Sequence, residues 1–181
     1  MKRRNLYAFS VAGLFAVACS SVAAPFGGED DLSYAAKLWQ KMESSHLVGQ
    51  YALYSTPYKG AFPHGEYLDT IDAILPVGEH QGRLLIKRNY GGEGITKAMV
   101  ANDPQKHLKA VTVMYQREQG YDKENQDWFW VKYSPVGEVL KNPKGMALAG
   151  RVAKGAKEGC IACHTAAPGG DMVFNNDRVR R

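Results

Sequence analysis

Two cysteines and a histidine late in the sequence have the spacing of a cofactor-binding motif. Cys160 and Cys163 are separated by two residues, and His164 follows the second cysteine directly. A Cys-x-x-Cys pair alone is compatible with a redox pair, half of a zinc site or a disulfide. The adjacent histidine favours c-type haem attachment, in which two thiols bond to the vinyl groups of one haem and the imidazole binds the iron.

The other uses of such a pair need partners that the sequence lacks. Structural zinc needs a second ligand pair, but the third cysteine, Cys19, lies in an N-terminal export signal. A thioredoxin-like pair follows a strand in a βαβ unit, which this pattern does not contain. We therefore predict one haem c per chain, held by Cys160 and Cys163, with His164 as the iron ligand. A surface disulfide beside an uninvolved histidine is the alternative.

The first 23 residues have the pattern of a secretory signal. Lys2, Arg3 and Arg4 precede a short apolar run, which small residues follow up to Ala24. We predict cleavage before Ala24, so that residues 24–181 form a single periplasmic domain. In the alternative, a lipoprotein signal ends before Cys19, and a lipid on Cys19 would anchor the same domain to a membrane.

Composition and charge narrow the possible partners. The chain is 45% hydrophobic and 23% charged, as is usual for a globular domain. Cleavage of the signal removes three positive charges and lowers the formal net charge from +5 to +2. No stripe or patch of Lys and Arg remains of the kind that binds nucleic acid, so we predict no nucleic-acid partner.

Residue patterns predict a sheet flanked by helices. Apolar residues at helical spacing indicate a helix over 32–45, and a further helical turn or two is expected within 66–75. The segments "GRLLIKRNY", "LKAVTVMYQRE" and "DWFWVKYSP" are rich in β-branched and aromatic residues and predict three antiparallel strands. The last strand has apolar side chains on both faces, which predicts a central, doubly covered position. A helix over about 146–166 is expected to carry the Cys-x-x-Cys-His motif.

The order of these segments resembles a known family. "GRLLIKRNY", "AVTVMYQREQGYD", "DWFWVKYSPVGEV", "GCIACH" and "GDMVF" are similar to the cytochrome P-460 family and its relative cytochrome c′-beta, over about residues 30–176. The resemblance implies an α+β fold, a mainly antiparallel β-sheet with flanking helices and a haem c near the C-terminus. It also implies a homodimer and an iron with five ligands.

The same resemblance assigns a role to a strand lysine. In P-460 proteins a lysine is covalently joined to a meso carbon of the haem, and Lys87 stands at the matching place. By strand alternation Lys87 shares a face with Leu85 and Asn89. If it is buried, its pKa falls and its amine becomes more nucleophilic. The alternative is a solvated lysine whose stem covers apolar neighbours.

The resemblance implies an exported haem enzyme of nitrogen-oxide chemistry. Hydroxylamine or nitric oxide would be oxidised at the iron, with Lys87 as a catalytic residue and a periplasmic protein accepting the electrons. Cytochrome c′-beta implies a second function, the binding of nitric oxide or carbon monoxide without turnover. A plain electron carrier is the weakest alternative, because no distal methionine is evident.

The distal side of the haem is the least defined part of the site. The family's oxidases place a carboxylate over the iron, but Thr112 or Met114 falls at that position here. Acids from other segments are possible substitutes, and among the other histidines His64 is the best candidate to line the pocket. Side chains considered as substitute acids or as aromatic caps of the pocket are Glu66, Asp69, Asp72, Phe62, Tyr67 and Tyr90.

Overall fold

An antiparallel sheet forms the centre of the computed structural model, which describes residues 25–174. The predicted export signal and Cys19 lie outside the described residues. In chain order the elements are α1 (Glu29–Ser44), β1 (Tyr58–Lys59), β2 (Tyr67–Val77), β3 (His80–Tyr90), α2 (Lys97–Asn102), α3 (Pro104–His107), β4 (Leu108–Gln116), a 3-10 turn (Lys123–Asn125), β5 (Trp128–Tyr133), β6 (Ala149–Gly150) and α4 (Cys160–His164).

The sheet is a meander in which each strand pairs with the next along the chain. Its six strands lie in the order β1-β2-β3-β4-β5-β6, and every neighbouring pair is antiparallel. The long β2–β3 hairpin turns at Gly78, and Val77 pairs with His80. The three strands predicted from composition are β3, β4 and β5, so the α+β class with a mainly antiparallel sheet is confirmed.

One face of the sheet packs against α1, and we call it the helix face. Leu84, Ile86 and their neighbours on β4 and β5 form an apolar core with Leu38 and Met42 of α1. The predicted helix is confirmed, although it begins earlier, at Glu29. Three acidic residues occupy its first turn, where they interact favourably with the positive end of the helix dipole.

The opposite face carries the C-terminal segment, and we call it the haem face. The strand register places Leu85, Met114 and Trp130 in one row across β3, β4 and β5. Ile161 and Met172 of the C-terminal segment pack in the same apolar cluster. The position of this cluster brings the Cys-x-x-Cys-His motif onto the middle strands.

The helical turns expected within 66–75 are wrong, because this segment is part of β2. Its acids at 69 and 72 interrupt the apolar pattern, but the hairpin supplies a partner for each. Asp69 lies opposite Arg88 in the register, and Asp72 accepts two hydrogen bonds from Arg83. Each partner comes from β3 and was therefore not visible in the local pattern.

The long helix expected over 146–166 is also wrong, since only Cys160–His164 is helical there. The preceding residues form β6 and a series of turns. Gly150, Gly155 and Gly159 all have positive φ values, of 94°, 73° and 126°. A right-handed helix cannot continue through such residues, so α4 is limited to little more than one turn.

The strand predicted to be central is buried on both faces but lies near one edge of the sheet. All residues of β5 are buried except Lys132, which is half-buried. Only the two-residue β6 lies beyond β5. None of the described helices is long and apolar enough to cross a membrane.

Candidate functional site

The motif lies on the single turn of α4, with both thiols free. Cys160 is half-buried and Cys163 is exposed, and neither forms a disulfide. Residues three apart lie on the same side of a helix, so the two sulfurs face one region of the pocket. Burial raises the pKa of the Cys160 thiol, which keeps it protonated at neutral pH.

The orientation of His164 is fixed by a hydrogen bond from one of its ring nitrogens. Its Nδ1 lies 2.7 Å from the carbonyl oxygen of Met172, and the side chain is only 6% exposed. A carbonyl only accepts, so Nδ1 carries the hydrogen and Nε2 has a free lone pair. Such a bond is the usual support of a metal-binding histidine. Burial also lowers the pKa of His164, which favours the neutral, ligating form.

Lys87 is a buried cation without a hydrogen-bond or ion-pair partner among the described residues. It is 8% exposed and lies on the haem face of β3. Burial lowers its pKa, while a weaker interaction with Cys163 acts in the opposite direction. Its amine also interacts electrostatically with His164, so the structure brings the predicted lysine to the motif. The register places Thr112 between Lys87 and Lys132.

His64 joins this group from the loop between β1 and β2. Its Nδ1 lies 3.1 Å from Asn89 Oδ1, and the backbone N–H of Gly65 donates to the same oxygen. Asn89 in turn donates through Nδ2 to the carbonyl oxygens of Lys87 and Ala110. The loop is thus attached to β3 by a single asparagine side chain.

The ring planes of His64 and His164 are nearly perpendicular, at 85°, and the ring centres are 6.3 Å apart. Burial, reinforced by the nearby Lys87, lowers the pKa of His64 to about 4, so its imidazole is neutral at pH 7. Residue patterns alone indicate His64 only weakly. The contact that recruits it joins positions 25 residues apart, and no local pattern could have revealed it.

The acids considered as proton acceptors are all engaged elsewhere. Glu66 pairs with Lys59 at the surface, at 3.0 Å. Asp72 pairs with Arg83, whereas Asp69 pairs with Arg88 at 2.9 Å inside the protein. None of the three acids considered as substitutes is therefore unpaired among residues 25–174.

None of the suggested aromatic caps has a ring contact with His164 among the described residues. Phe62 is 97% exposed, so its ring covers no pocket. Tyr90 donates a hydrogen bond to Asp69 and packs in a separate cluster, against which Tyr67 also lies. The ring next to His164 on the sheet is Trp130, with ring centres 4.8 Å apart, and Phe174 lies on another side at 5.2 Å.

These residues fit a haem. Two free thiols, an oriented imidazole and an apolar row on the sheet match the attachment points, the iron and the flat surface of the macrocycle. The buried Trp130 Nε1 has no hydrogen-bond partner within residues 25–174. A buried donor of this kind needs an acceptor, and haem propionates are acceptors of suitable charge.

Comparison with known proteins identifies one family. Residues 75–175 match the family model described as Cytochrome P460. The matched region contains Lys87 and the whole Cys-x-x-Cys-His motif, but it begins after His64. No curated protein and no solved structure gives a significant match to the chain.

Proposed function

The chain belongs to the cytochrome P460 family, and from this premise we propose that it is an exported haem c enzyme that oxidises hydroxylamine or nitric oxide. Family membership supports the haem, and the geometry of His164 supports its mode of binding. We further propose that the domain works in the periplasm as a homodimer with one haem per chain.

Cys160, Cys163 and His164 are the proposed haem anchors. Each thiol adds its sulfur and hydrogen across one vinyl group, so no atom is lost when the two thioethers form. His164 Nε2 is the iron ligand, because Nδ1 is already committed to Met172. When bound, haem c would supply an iron that changes oxidation state and binds a small nitrogen-oxide molecule.

The observation that carries the enzyme proposal is the buried, unpaired Lys87. A buried ammonium without an anion is costly, so a lysine kept there favours a chemical role over a structural one. We propose that its neutral amine bonds to a haem meso carbon. This step replaces one N–H and one C–H bond by an N–C bond, and a peroxide or another two-electron oxidant takes up two electrons and two protons.

A second function is favoured by the pairing of the acids considered as proton acceptors, none of which is unpaired among residues 25–174. Oxidation of hydroxylamine to nitric oxide releases three protons and three electrons, and a one-electron periplasmic carrier would accept the latter. The acids considered from the sequence, Glu66, Asp69 and Asp72, are all paired with cations. A protein that only binds nitric oxide or carbon monoxide needs no proton acceptor, so cytochrome c′-beta-like gas binding is the alternative.

The first test is the mass and spectrum of the protein matured in a host that assembles c-type cytochromes. The enzyme proposal predicts a red-shifted ferric Soret band and a mass equal to residues 24–181 plus haem, less two hydrogens. An ordinary c-type spectrum with no loss of hydrogen would favour gas binding. A colourless protein with free thiols would contradict both. The intact mass also distinguishes cleavage before Ala24 from a lipidated Cys19.

The matched variants are Lys87→Ala and Lys132→Ala. Both lysines lie on the haem face at the level of Thr112, one on each neighbouring strand. We expect Lys87→Ala to abolish the red-shifted band and to reduce hydroxylamine turnover with an artificial electron acceptor. Lys132→Ala removes the same charge from the same face and should keep the band. Loss of the band in both variants would indicate a general charge effect and would contradict the cross-link.

A further inference from the structure

The carbonyl that orients His164 belongs to a residue with an uncommon backbone conformation. Met172 has a φ of 61°, in the left-handed region that residues other than glycine seldom adopt. Its carbonyl oxygen lies 2.7 Å from His164 Nδ1. Because such a conformation persists only where the surrounding contacts impose it, other residues must hold Met172 in place. We call residues 170–173 the proximal strap.

Asp171 forms a bridge across Met172. Its Oδ1 accepts a hydrogen bond from the backbone N–H of Val173, at 3.2 Å, and so joins the residues on either side of Met172. Aspartate stabilises turns through this contact with the N–H two residues ahead. The other carboxylate oxygen, Oδ2, accepts a hydrogen bond from Arg83 Nη1 on β3, at 3.1 Å. One carboxylate therefore both fixes the turn and attaches it to the sheet.

Further contacts attach the proximal strap to β5 and to the turn before it. Trp128 Nε1 donates to the carbonyl oxygen of Asp171, at 3.2 Å, and Gln126 Nε2 donates to that of Gly170, at 2.6 Å. The side chains of Met172 and Val173 are buried in the same apolar cluster as Trp128. The Met172 carbonyl therefore has little freedom to turn away from His164.

Resting on the proposed haem attachment, we propose that Asp171 is a positioning residue for His164 and that its bridge to Val173 keeps the Met172 carbonyl on Nδ1. A hydrogen bond from Nδ1 raises the basicity of an imidazole, which then donates more strongly through Nε2. A stronger donor stabilises ferric relative to ferrous iron and lowers the reduction potential. Asp171 acts on the iron through Met172 and His164 and is not itself a catalytic residue.

The alternative is that Asp171 and Arg83 form an ordinary ion pair near the surface. Their side chains are 26% and 27% exposed, and ion pairs of this kind contribute little to stability. Arg83 also supplies the control for this alternative. Its Nε and Nη2 donate to Asp72, which binds the same guanidinium from β2 instead of from the proximal strap.

The test compares Asp171→Ala with Asp72→Ala in the haem-loaded protein. Each variant removes one carboxylate from Arg83, so the direct effect of the lost charge on the iron is matched. We expect the midpoint potential to rise more in Asp171→Ala, by about 59 mV for each tenfold loss in the preference of His164 for ferric iron. The iron–histidine stretching frequency, measured by resonance Raman spectroscopy of the ferrous protein, should fall in Asp171→Ala alone. Equal potentials with an unchanged frequency would overturn the proposal.

Asp171→Asn is the conservative variant. The asparagine Oδ1 still accepts from the Val173 N–H, whereas the negative charge opposite Arg83 is lost. The stretching frequency should therefore stay at the wild-type value. A frequency as low as that of Asp171→Ala would show that the bridge does not position the histidine, and it would overturn the proposal.

A further measurement needs no variant. The Nδ1 hydrogen of an iron-bound imidazole gives a strongly shifted proton resonance, which disappears as the hydrogen exchanges with heavy water. In the wild type this resonance should persist for much longer than those of exposed backbone amides, because the proximal strap holds the acceptor in place. Exchange as fast as that of exposed amides would contradict the role of the strap.

The outcomes separate this proposal from the one on which it rests. A coloured protein with an attached haem, in which Asp171→Ala and Asp72→Ala behave alike, overturns the role of Asp171 and leaves the haem enzyme intact. A colourless wild-type protein overturns both proposals.

Discussion

Arg88 and Lys87 are neighbours on β3 that bury positive charge on opposite faces of one sheet. Arg88, on the helix face, is 1% exposed, and its Nη1 donates hydrogen bonds to both carboxylate oxygens of Asp69. It also donates to the carbonyl oxygens of Leu47 and Leu53. Lys87, on the haem face, has no such partner among residues 25–174. The difference separates a buried cation that is paired within the fold from one that has no partner among the described residues.

The largest loss of stability is expected from Arg88→Met. Removal of one member of a buried ion pair leaves Asp69 uncompensated, which should lower the free energy of unfolding by about 3–5 kcal/mol. Denaturant unfolding of the haem-loaded protein measures this loss. The control is Arg83→Met on the same strand, whose pairs are partly exposed and should cost about 1 kcal/mol or less. Equal losses would show that the buried pair has no special structural role.

An intermediate loss of stability is expected from Gly65→Ala, which alters the loop at the edge of the haem face. A Cβ at Gly65 would lie 2.5 Å from the backbone oxygen of Tyr90, so the loop with His64 must move away from β3. We expect a loss of about 1–3 kcal/mol in the free energy of unfolding, measured by denaturant unfolding. Gly91→Ala is the control, because its nearest neighbour is a Lys109 side-chain atom at 3.5 Å. An unchanged free energy of unfolding in Gly65→Ala would show that the loop does not need its close approach to β3.

The smallest effect on stability is expected from Lys87→Met. Methionine keeps an apolar stem of similar shape and removes an unpaired charge, so the unfolding free energy should change by about 1 kcal/mol or less, in either direction. The red-shifted Soret band should nevertheless disappear. A loss as large as that of Arg88→Met would show that Lys87 is a structural residue and would remove the contrast between the two faces.

Local patterns were sufficient to predict the middle of the sheet and the motif. The strands β3, β4 and β5 have dense β-branched and aromatic composition, and α1 has clear helical spacing, so each was predictable from its own residues. The types and spacing of Cys160, Cys163 and His164 likewise indicate haem chemistry without knowledge of the fold. The strand position of Lys87 left burial and solvation open, and the structure shows that the side chain is buried.

Features that depend on distant partners could not be predicted in this way. The acids of β2 interrupt the apolar pattern of that strand, and the arginines that pair with them lie on β3. The local pattern of β2 therefore does not indicate a strand. The histidine loop is held at the pocket by Asn89, which is distant in sequence, and glycines with positive φ shorten the helix around the motif. In each case the missing information is a contact or a backbone angle, and neither is encoded in residue type and spacing alone.

The position of α4 after all six strands has a consequence for how the protein matures. If the chain crosses the membrane from its N-terminus, as the proposed export implies, the sheet and the helix-face core have emerged before the two thiols do. The enzymes that ligate the porphyrin would then meet a largely folded scaffold with a short reactive tail. Haem attachment would then follow folding of the sheet, and it would have to be complete before the tail packs against the sheet.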